Sequence, residues 1–320
     1  MAHRALDGLV TLRDLLRFAV SRFNAAGLHF GHGTDNAYDE AAYLILHTLH
    51  LPPERLEPFL DARLTSREMA AVLRVIERRT RERIPAAYLT REAWLGDHRF
   101  YVDERVIVPR SHIAELLRDR LAPWLPEERE IRGALDLCTG SGCLAILLAL
   151  AFPEARVDAA DISREALAVA RHNVEAYGLG QRVHLLRSDL FSGLGNRRYD
   201  LVISNPPYVT AAAMEALPPE YRHEPQLALA GGKDGLDAVR AILREGCRHL
   251  NEGGLLVVET GAARPALEQA FPTMAFNWIE TASGEESVFL LEREALSAAP
   301  RPGARKAGKS AAGRRPRRMA

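Results

Sequence analysis

Cysteine is scarce in this chain. Cys138, Cys143 and Cys247 are the three among 320 residues, and no two stand at C-x-x-C spacing. Three thiols cannot all pair, so neither a disulfide framework nor a cysteine zinc site is expected; a reduced, cytoplasmic compartment is. Long apolar runs are missing too. None approaches the roughly 18 residues of a membrane-spanning helix, and Arg4, Asp7, Arg13 and Asp14 interrupt the N-terminal MAHRALDGLVTLRDLLRF before a signal-peptide core forms. Neither secretion nor a membrane span is expected. There are no internal repeats and no coiled-coil heptads.

Charge of one sign is lacking overall, with 42 basic against 42 acidic residues, but the balance is uneven. Residues 301–320, RPGARKAGKSAAGRRPRRMA, hold eight basic and no acidic residues, leaving 34 basic against 42 acidic in the rest. A mildly acidic body therefore carries a basic, Gly/Pro/Ala-rich tail. Such a tail has too little apolar content to offset its ordering entropy, so residues 298–320 are expected to be disordered, with a weak attraction to RNA phosphates as one use of the charge. A solvated tail without a partner is the plain alternative.

With 47% hydrophobic and 26% charged residues, the chain can build one large or two smaller packed domains. The first 90 residues read as helices. Leu12, Leu15, Leu16, Ala19 and Phe23 recur at helical spacing before Gly27; DEAAYLILHTLH is a second helix stopped by Pro52 and Pro53; Thr65 and Glu68 have capping-box spacing ahead of a third. His29 and His32, in a polar Gly-containing loop, lack a third ligand at convincing spacing, so no metal is expected. From IPAAYLT through GDHRFYVDERVIVPR the pattern changes to short strands, a hairpin linker over residues 91–112. Residues 113–297 then alternate: ALDLC, RVDAAD, VHLLRSD, YDLVIS and GGLLVVET as strands between helices such as LAILLALAF, SREALAVARHNVEAYG (capped by Ser163) and DAVRAILREGCRHL. Near-continuous apolar strands with intervening helices predict a mostly parallel α/β sheet covered on both faces, with WIE and ESVFLLE at one edge.

The first of these strands runs into Asp136-Leu-Cys138-Thr139-Gly140-Ser141-Gly142. Glycines there allow a tight turn and bring backbone N–H groups to a ligand at the following helix start. This is neither the dinucleotide G-x-G-x-x-G nor a P-loop G-K-[ST]. Asp161 ends the second strand, followed by Ile162, where a carboxylate can accept from both ribose hydroxyls. Asp189, followed by Leu190, ends the third and is placed to accept from an adenine amino group, with Leu190 against the ring. Acidic groups at successive strand ends suit a ligand with a sulfonium and no phosphates. S-adenosylmethionine fits better than a dinucleotide, which stays as the alternative beside a purely structural glycine turn.

YDLVIS delivers Asn205-Pro206-Pro207-Tyr208 at its C-terminal end, the edge where open parallel sheets gather ligands. Two prolines stiffen the turn and remove N–H donors, leaving carbonyls to face inward. The Asn205 side-chain oxygen and the Pro206 carbonyl can accept from both hydrogens of a planar NH2, holding a poor nucleophile against a methyl donor, while Tyr208 stacks on the planar group. A rigid strand-end turn without chemistry is the alternative.

With these motifs in place, the chain resembles the class I S-adenosylmethionine-dependent methyltransferases that modify protein glutamine amides, over roughly residues 10–295. The resemblance implies a helical substrate-recognition domain over residues 1–90, the linker, and a seven-stranded catalytic domain over residues 113–297. It places Asp136–Gly142, Asp161, Ile162, Asp189, Leu190 and Asn205 around the cofactor, and Asn205–Tyr208 around the substrate amide. RFNAAGLHFGHGTDNAYDEA, RIPAAYLT, FYVDERVIVPRSHIAELL and LPPEYRHEPQLALAGGKDGLD are most similar to members that act on large-subunit ribosomal protein L3, which the resemblance implies as substrate. Pro109-Arg110-Ser111-His112 departs from the P-R-x-E-T-E of members that act on release factors, the nearest alternative. N-P-P-Y is shared with DNA adenine methyltransferases, a more distant one; a cofactor-retaining assembly protein without turnover is the non-enzymatic alternative. Arg110, Glu115, Arg222, His223 and Glu224 are candidates for closing the cleft or touching the substrate backbone, or else ordinary inter-domain ion pairs.

Overall fold

A computed structural model describes residues 8–281, 284 and 286–297. The basic segment 298–320, with its expected disorder, lies outside the described residues.

Three helices open the chain: α1 (Leu12–Ala25), α2 (Ala37–Thr48) and α3 (Ser66–Glu77). Each starts on a side-chain cap. Thr11 with Asp14 and Thr65 with Glu68 form reciprocal capping boxes, and Asn36 accepts from the N–H groups of Tyr38 and Asp39. Leu12, Leu15, Leu16, Ala19 and Phe23 form one buried stripe against Leu44, Ile45, Val72 and Ile76. After Glu77 the helix widens into a π turn, Arg78–Glu82, ending on Arg83 with φ +61°. A wider turn re-aims the side chains after it. Here it buries Arg79 completely.

The linker departs from the expectation of strands throughout. IPAAYLT is a short helix, α4 (Ala86–Thr90): Pro85 presents its carbonyl to the N–H groups of Tyr88 and Leu89, and burial of Ala86, Ala87 and Tyr88 outweighs strand propensity. Only β1 (Glu92–Leu95) and β2 (His98–Tyr101) pair, antiparallel about Gly96. The following VDERVIVPR forms no strand. Val102, Val106 and Val108 are buried without a strand ladder, and their spacing mimics a strand pattern in sequence.

The rest is one seven-stranded sheet with α5 (Ile113–Arg118), β3 (Gly133–Leu137), α6 (Cys143–Ala151), β4 (Arg156–Asp161), α7 (Arg164–Ala176), β5 (Val183–Arg187), β6 (Tyr199–Ser204), α8 (Ala211–Ala216), α9 (Gln226–Leu229), α10 (Asp237–His249), β7 (Leu250–Glu259), α11 (Arg264–Ala270), β8 (Asn277–Ile279), β9 (Val288–Glu292) and α12 (Arg293–Ser297). The order is β5-β4-β3-β6-β7-β9-β8, with β9 antiparallel to both neighbours and the other pairs parallel. Alternate residues supply two cores: Leu201, Ile203, Leu255 and Val257 face α5 and α6, while Val202, Leu256, Val258 and Phe289 face α10. Strand order reverses at β3, so the crevice beyond its C-terminal end is where the fold places a ligand.

Candidate active site

Asp136 and Leu137 finish β3 fully buried, and the backbone then turns through positive φ at Cys138 (+60°), Gly140 (+54°) and Gly142 (+79°). Gly142 has a second reason to be glycine. A Cβ there would stand 3.1 Å from the Ala170 Cβ, so α6 and α7 could not approach as they do. Thr139 Oγ1 donates to Asp136 Oδ2 at 2.5 Å, leaving Oδ1 buried without a partner among the described residues. Desolvation is the largest influence on this carboxyl and pushes it up to about 7. Asp161, closing β4, reaches across to the turn: Oδ2 accepts from Gly140 N–H and Oδ1 from Ser163 N–H, each at 2.9 Å. Burial also raises its pKa, against those two hydrogen bonds. Ile162 beside it is exposed, and Asp189 and Leu190 follow β5, Asp189 exposed and Leu190 half-buried at φ +46°. The ten residues Asp136, Cys138–Gly142, Asp161, Ile162, Asp189 and Leu190 thus stand at the C-terminal ends of three adjacent strands.

Asn205 and Pro206 continue from β6 on the other side of β3. Ser204 Oγ donates to Leu137 O at 2.9 Å and fastens the strand end. The Asn205 side chain makes no hydrogen bond among the described residues. With Pro206, Tyr208, Ile107, Arg110 and Tyr221 it lines a cavity of about 150 Å³. Tyr208 is held by glycines that sequence reasoning had not singled out. A Cβ at Gly231 would meet the Tyr208 Cα at 2.7 Å, and one at Gly261 (φ +50°) would meet its ring at 2.6 Å. GGKDG and the Gly after GGLLVVET were the available signals; nothing local says which tyrosine they serve. Burial, then the Glu259 charge, raises the Tyr208 pKa, so it stays a phenol.

The outer wall, residues 217–229, is held from a distance. Glu220 Oε1 accepts from Arg79 Nη1 (3.3 Å), Arg83 Nη1 (3.0 Å) and His29 N–H (3.1 Å). Arg79 also donates from Nε to Glu40 Oε1 at 2.6 Å and from Nη2 to His29 O at 2.8 Å. Burial works against ionised Glu220, but its donors and the two arginines outweigh it and lower its pKa. Four residues on, Glu224 takes Arg110 in a two-pronged pair, both contacts 2.6 Å, and accepts from Val108 N–H at 3.0 Å. His32 lies 3.8 Å from Glu224 Oε1 with its ring 4.6 Å from Tyr221. Glu259 at the end of β7 accepts from Ser111 Oγ (2.6 Å) and His112 N–H (3.0 Å), pinning the linker. Asn173 clips it again, to Tyr101 and to Ser141 O in the glycine turn.

A family model described as the methyltransferase small domain matches residues 118–217. The chain is 59% identical over 296 residues to the "ribosomal protein uL3 glutamine methyltransferase" of Neisseria meningitidis serogroup B (strain ATCC BAA-335 / MC58), covering 92% of this chain and 97% of that one. It belongs to that family. The namesakes of Burkholderia pseudomallei (58% over 295 residues, 90% and 96% covered) and Bordetella pertussis (57% over 289 residues, 90% and 97% covered) agree. A solved methyltransferase from Pyrococcus furiosus aligns over 61% of this chain and 88% of that one, at 21% identity and TM-score 0.44.

The cofactor of this methyltransferase is S-adenosylmethionine, and the residues present fit it. Carboxylates at the ends of β3, β4 and β5 offer acceptors to hydroxyl and amino groups and compensate a cationic sulfonium. The unpaired Oδ1 of Asp136 and the glycine turn supply an acceptor and close backbone access. Among the cleft candidates, Arg110 lines the cavity beside Asn205 and is ion-paired with Glu224 behind it. His223 Nε2 meets Glu82 O at 2.8 Å, Glu115 faces His112 at 3.6 Å, and Arg222 is exposed. These three contribute nothing to the pocket lining.

Proposed function

We propose that the chain transfers a methyl group from S-adenosylmethionine to the side-chain amide nitrogen of a glutamine in ribosomal protein uL3. The observation that carries this reading is the Asn205 carboxamide, without a hydrogen-bond partner among the described residues, beside buried Pro206 in a cavity large enough for a side chain. The near full-length likeness to glutamine methyltransferases supplies the substrate.

When bound, the cofactor supplies an electrophilic methyl group on a sulfonium. Asp161 holds the ribose, Asp136 and the backbone of Cys138, Thr139, Gly140, Ser141 and Gly142 the amino-acid end, and Asp189, Ile162 and Leu190 the adenine. An amide nitrogen is a weak nucleophile because its lone pair is delocalised. Asn205 Oδ1 and the Pro206 carbonyl accept its two N–H bonds, orient the lone pair and offset the charge that develops. Neither oxygen is a base at neutral pH, so they act by position. The N–C bond forms as the S–C bond breaks, leaving the spent cofactor as a neutral thioether. The surplus amide proton, first held between Asn205 Oδ1 and the Pro206 carbonyl, is lost to solvent at product release. Pro207 fixes the turn, and the un-ionised Tyr208 ring covers the amide and excludes water. The helical unit presents the substrate protein.

Mass mapping of uL3 after incubation with enzyme and labelled cofactor tests the reaction, with release factor as control. Methylation of the control alone would sink the assignment. Asn205→Ala loses about 10²–10³ in transfer, the usual scale for one stabilising contact, while calorimetry shows cofactor still bound. Asp161→Ala weakens cofactor binding instead. We further infer cytoplasmic action, with the basic segment 301–320 drawing the enzyme toward rRNA. Its removal then flattens the salt dependence of uL3 methylation on ribosomal particles and leaves that on free uL3 alone.

A further inference from the structure

One wall of the cavity beside Asn205 is not explained by holding an NH2 group. Arg110 lines it, with a quarter of its side chain exposed (25%), while its partner Glu224 is wholly buried (0%). A guanidinium carries five N–H donors in one plane. Glu224 takes one from Nη1 and one from Nη2, and a second Nη1 contact reaches Val108 O at 3.4 Å. The Nε–H and the other Nη2–H have no partner among the described residues. Tyr221 lies under the guanidinium at 5.4 Å and fixes its plane. Burial opposes the Arg110 charge, but the Glu224 hydrogen bonds outweigh it and raise the pKa, so the cation is permanent and already neutralised.

Such a pair offers directed donors with little net charge. That suits a carbonyl oxygen. A carboxylate would bring a second negative charge beside Glu224, whose repulsion offsets its attraction to Arg110. We propose that Arg110 binds a carbonyl oxygen of the glutamine-bearing segment, and that Glu224, by cancelling the Arg110 charge, makes the pocket prefer glutamine to glutamate. The inference rests on the glutamine methyltransferase reading and deepens it. Arg110 is a binding residue; Glu224, acting through it, is a positioning residue.

The probes are uL3 and uL3 with its mapped methyl-acceptor glutamine replaced by glutamate. Arg110→Met raises KM for uL3 at least tenfold, and by more than it lowers kcat, with the cofactor Kd unchanged. Glu224→Gln keeps an acceptor for Val108 N–H and exposes the Arg110 charge, so the glutamate protein becomes at least tenfold stronger as a competitive inhibitor than it is of the unaltered enzyme. A merely structural Glu224 would lower activity without moving that preference. Should Arg110→Met fail to fold, the neutral pair R110M/E224Q keeps the pocket uncharged and reads KM in its place. An unmoved KM in the arginine variant, or unmoved inhibition in Glu224→Gln, overturns the proposal. If the unaltered enzyme leaves uL3 unmethylated, the functional reading falls with it; if uL3 is methylated and only these shifts are missing, this inference falls alone.

Discussion

The two walls of the Asn205 pocket are made differently. The sheet-side wall is local: Asp136–Gly142 run from the end of β3 into the next turn, Asp161 ends β4, and Asn205–Tyr208 follow β6, each within a few residues of the strand that aims it. The outer wall, residues 217–229, takes its position from side chains over a hundred residues away, with Glu220 on Arg79 and Arg83, and Glu224 on Arg110. One is set by strand geometry and backbone hydrogen bonds. The other depends on buried ions, which are tolerated only while paired. The comparison teaches that the chemical half of the site forms with the sheet, whereas the enclosing half needs the helical unit docked.

The harshest way to break that contrast is Arg79→Met. It strands Glu40 and weakens the hold on Glu220, both buried, and should cost about 3–5 kcal/mol, read as a lower urea midpoint. A loss below about 1 kcal/mol would mean that the outer wall is not held by charge. Gly261→Ala presses a methyl into the Tyr208 ring from a residue at φ +50°, costing about 1–3 kcal/mol and reducing methyl transfer with cofactor affinity retained. Transfer at the normal rate would detach Tyr208 from the chemistry.

His32 sharpens the comparison by pH. Desolvation, then the Arg110, Arg79 and His29 charges, outweighs attraction to Glu224 and lowers its pKa to about 4. The folded state therefore resists protonating it. Stability from this group is complete above about pH 6.5 and declines toward pH 4, by at most about 1.4 kcal/mol per pH unit. Stability measured against pH should be flatter over that window in His32→Gln; equal slopes would refute the assignment. The mildest test is on the sheet side. Ser163→Ala removes the α7 cap, seen as Ala166 N–H donating to Ser163 Oγ at 3.1 Å, and lowers stability by about 1 kcal/mol with KM for uL3 unchanged.

Legibility in the sequence follows the same division. Capping boxes, apolar strand runs and the N-P-P-Y turn are local signals, so α1, α3, the sheet and the side chains gathered at its strand ends were readable. The linker misled because Ala86, Ala87 and Tyr88 bury as a helix, and Val102, Val106 and Val108 pack without a ladder. Glu220, Arg79 and Glu40 are charged residues, and nothing in their sequence neighbourhoods announces mutual burial. Glu259 had a fair signal, an acid closing an apolar strand as Asp136 and Asp161 do. The π turn that aims Arg79 inward has no local signature at all.

That turn, with the glutamates it serves, bears on how the molecule is made. The cations for Glu220 and Glu224 leave the ribosome more than a hundred residues before the acids they receive. A nascent chain therefore never exposes these carboxylates without their counterions already waiting upstream. Excising the catalytic half at residue 113 would reverse that advantage, leaving two naked acids where the rim of the pocket should close.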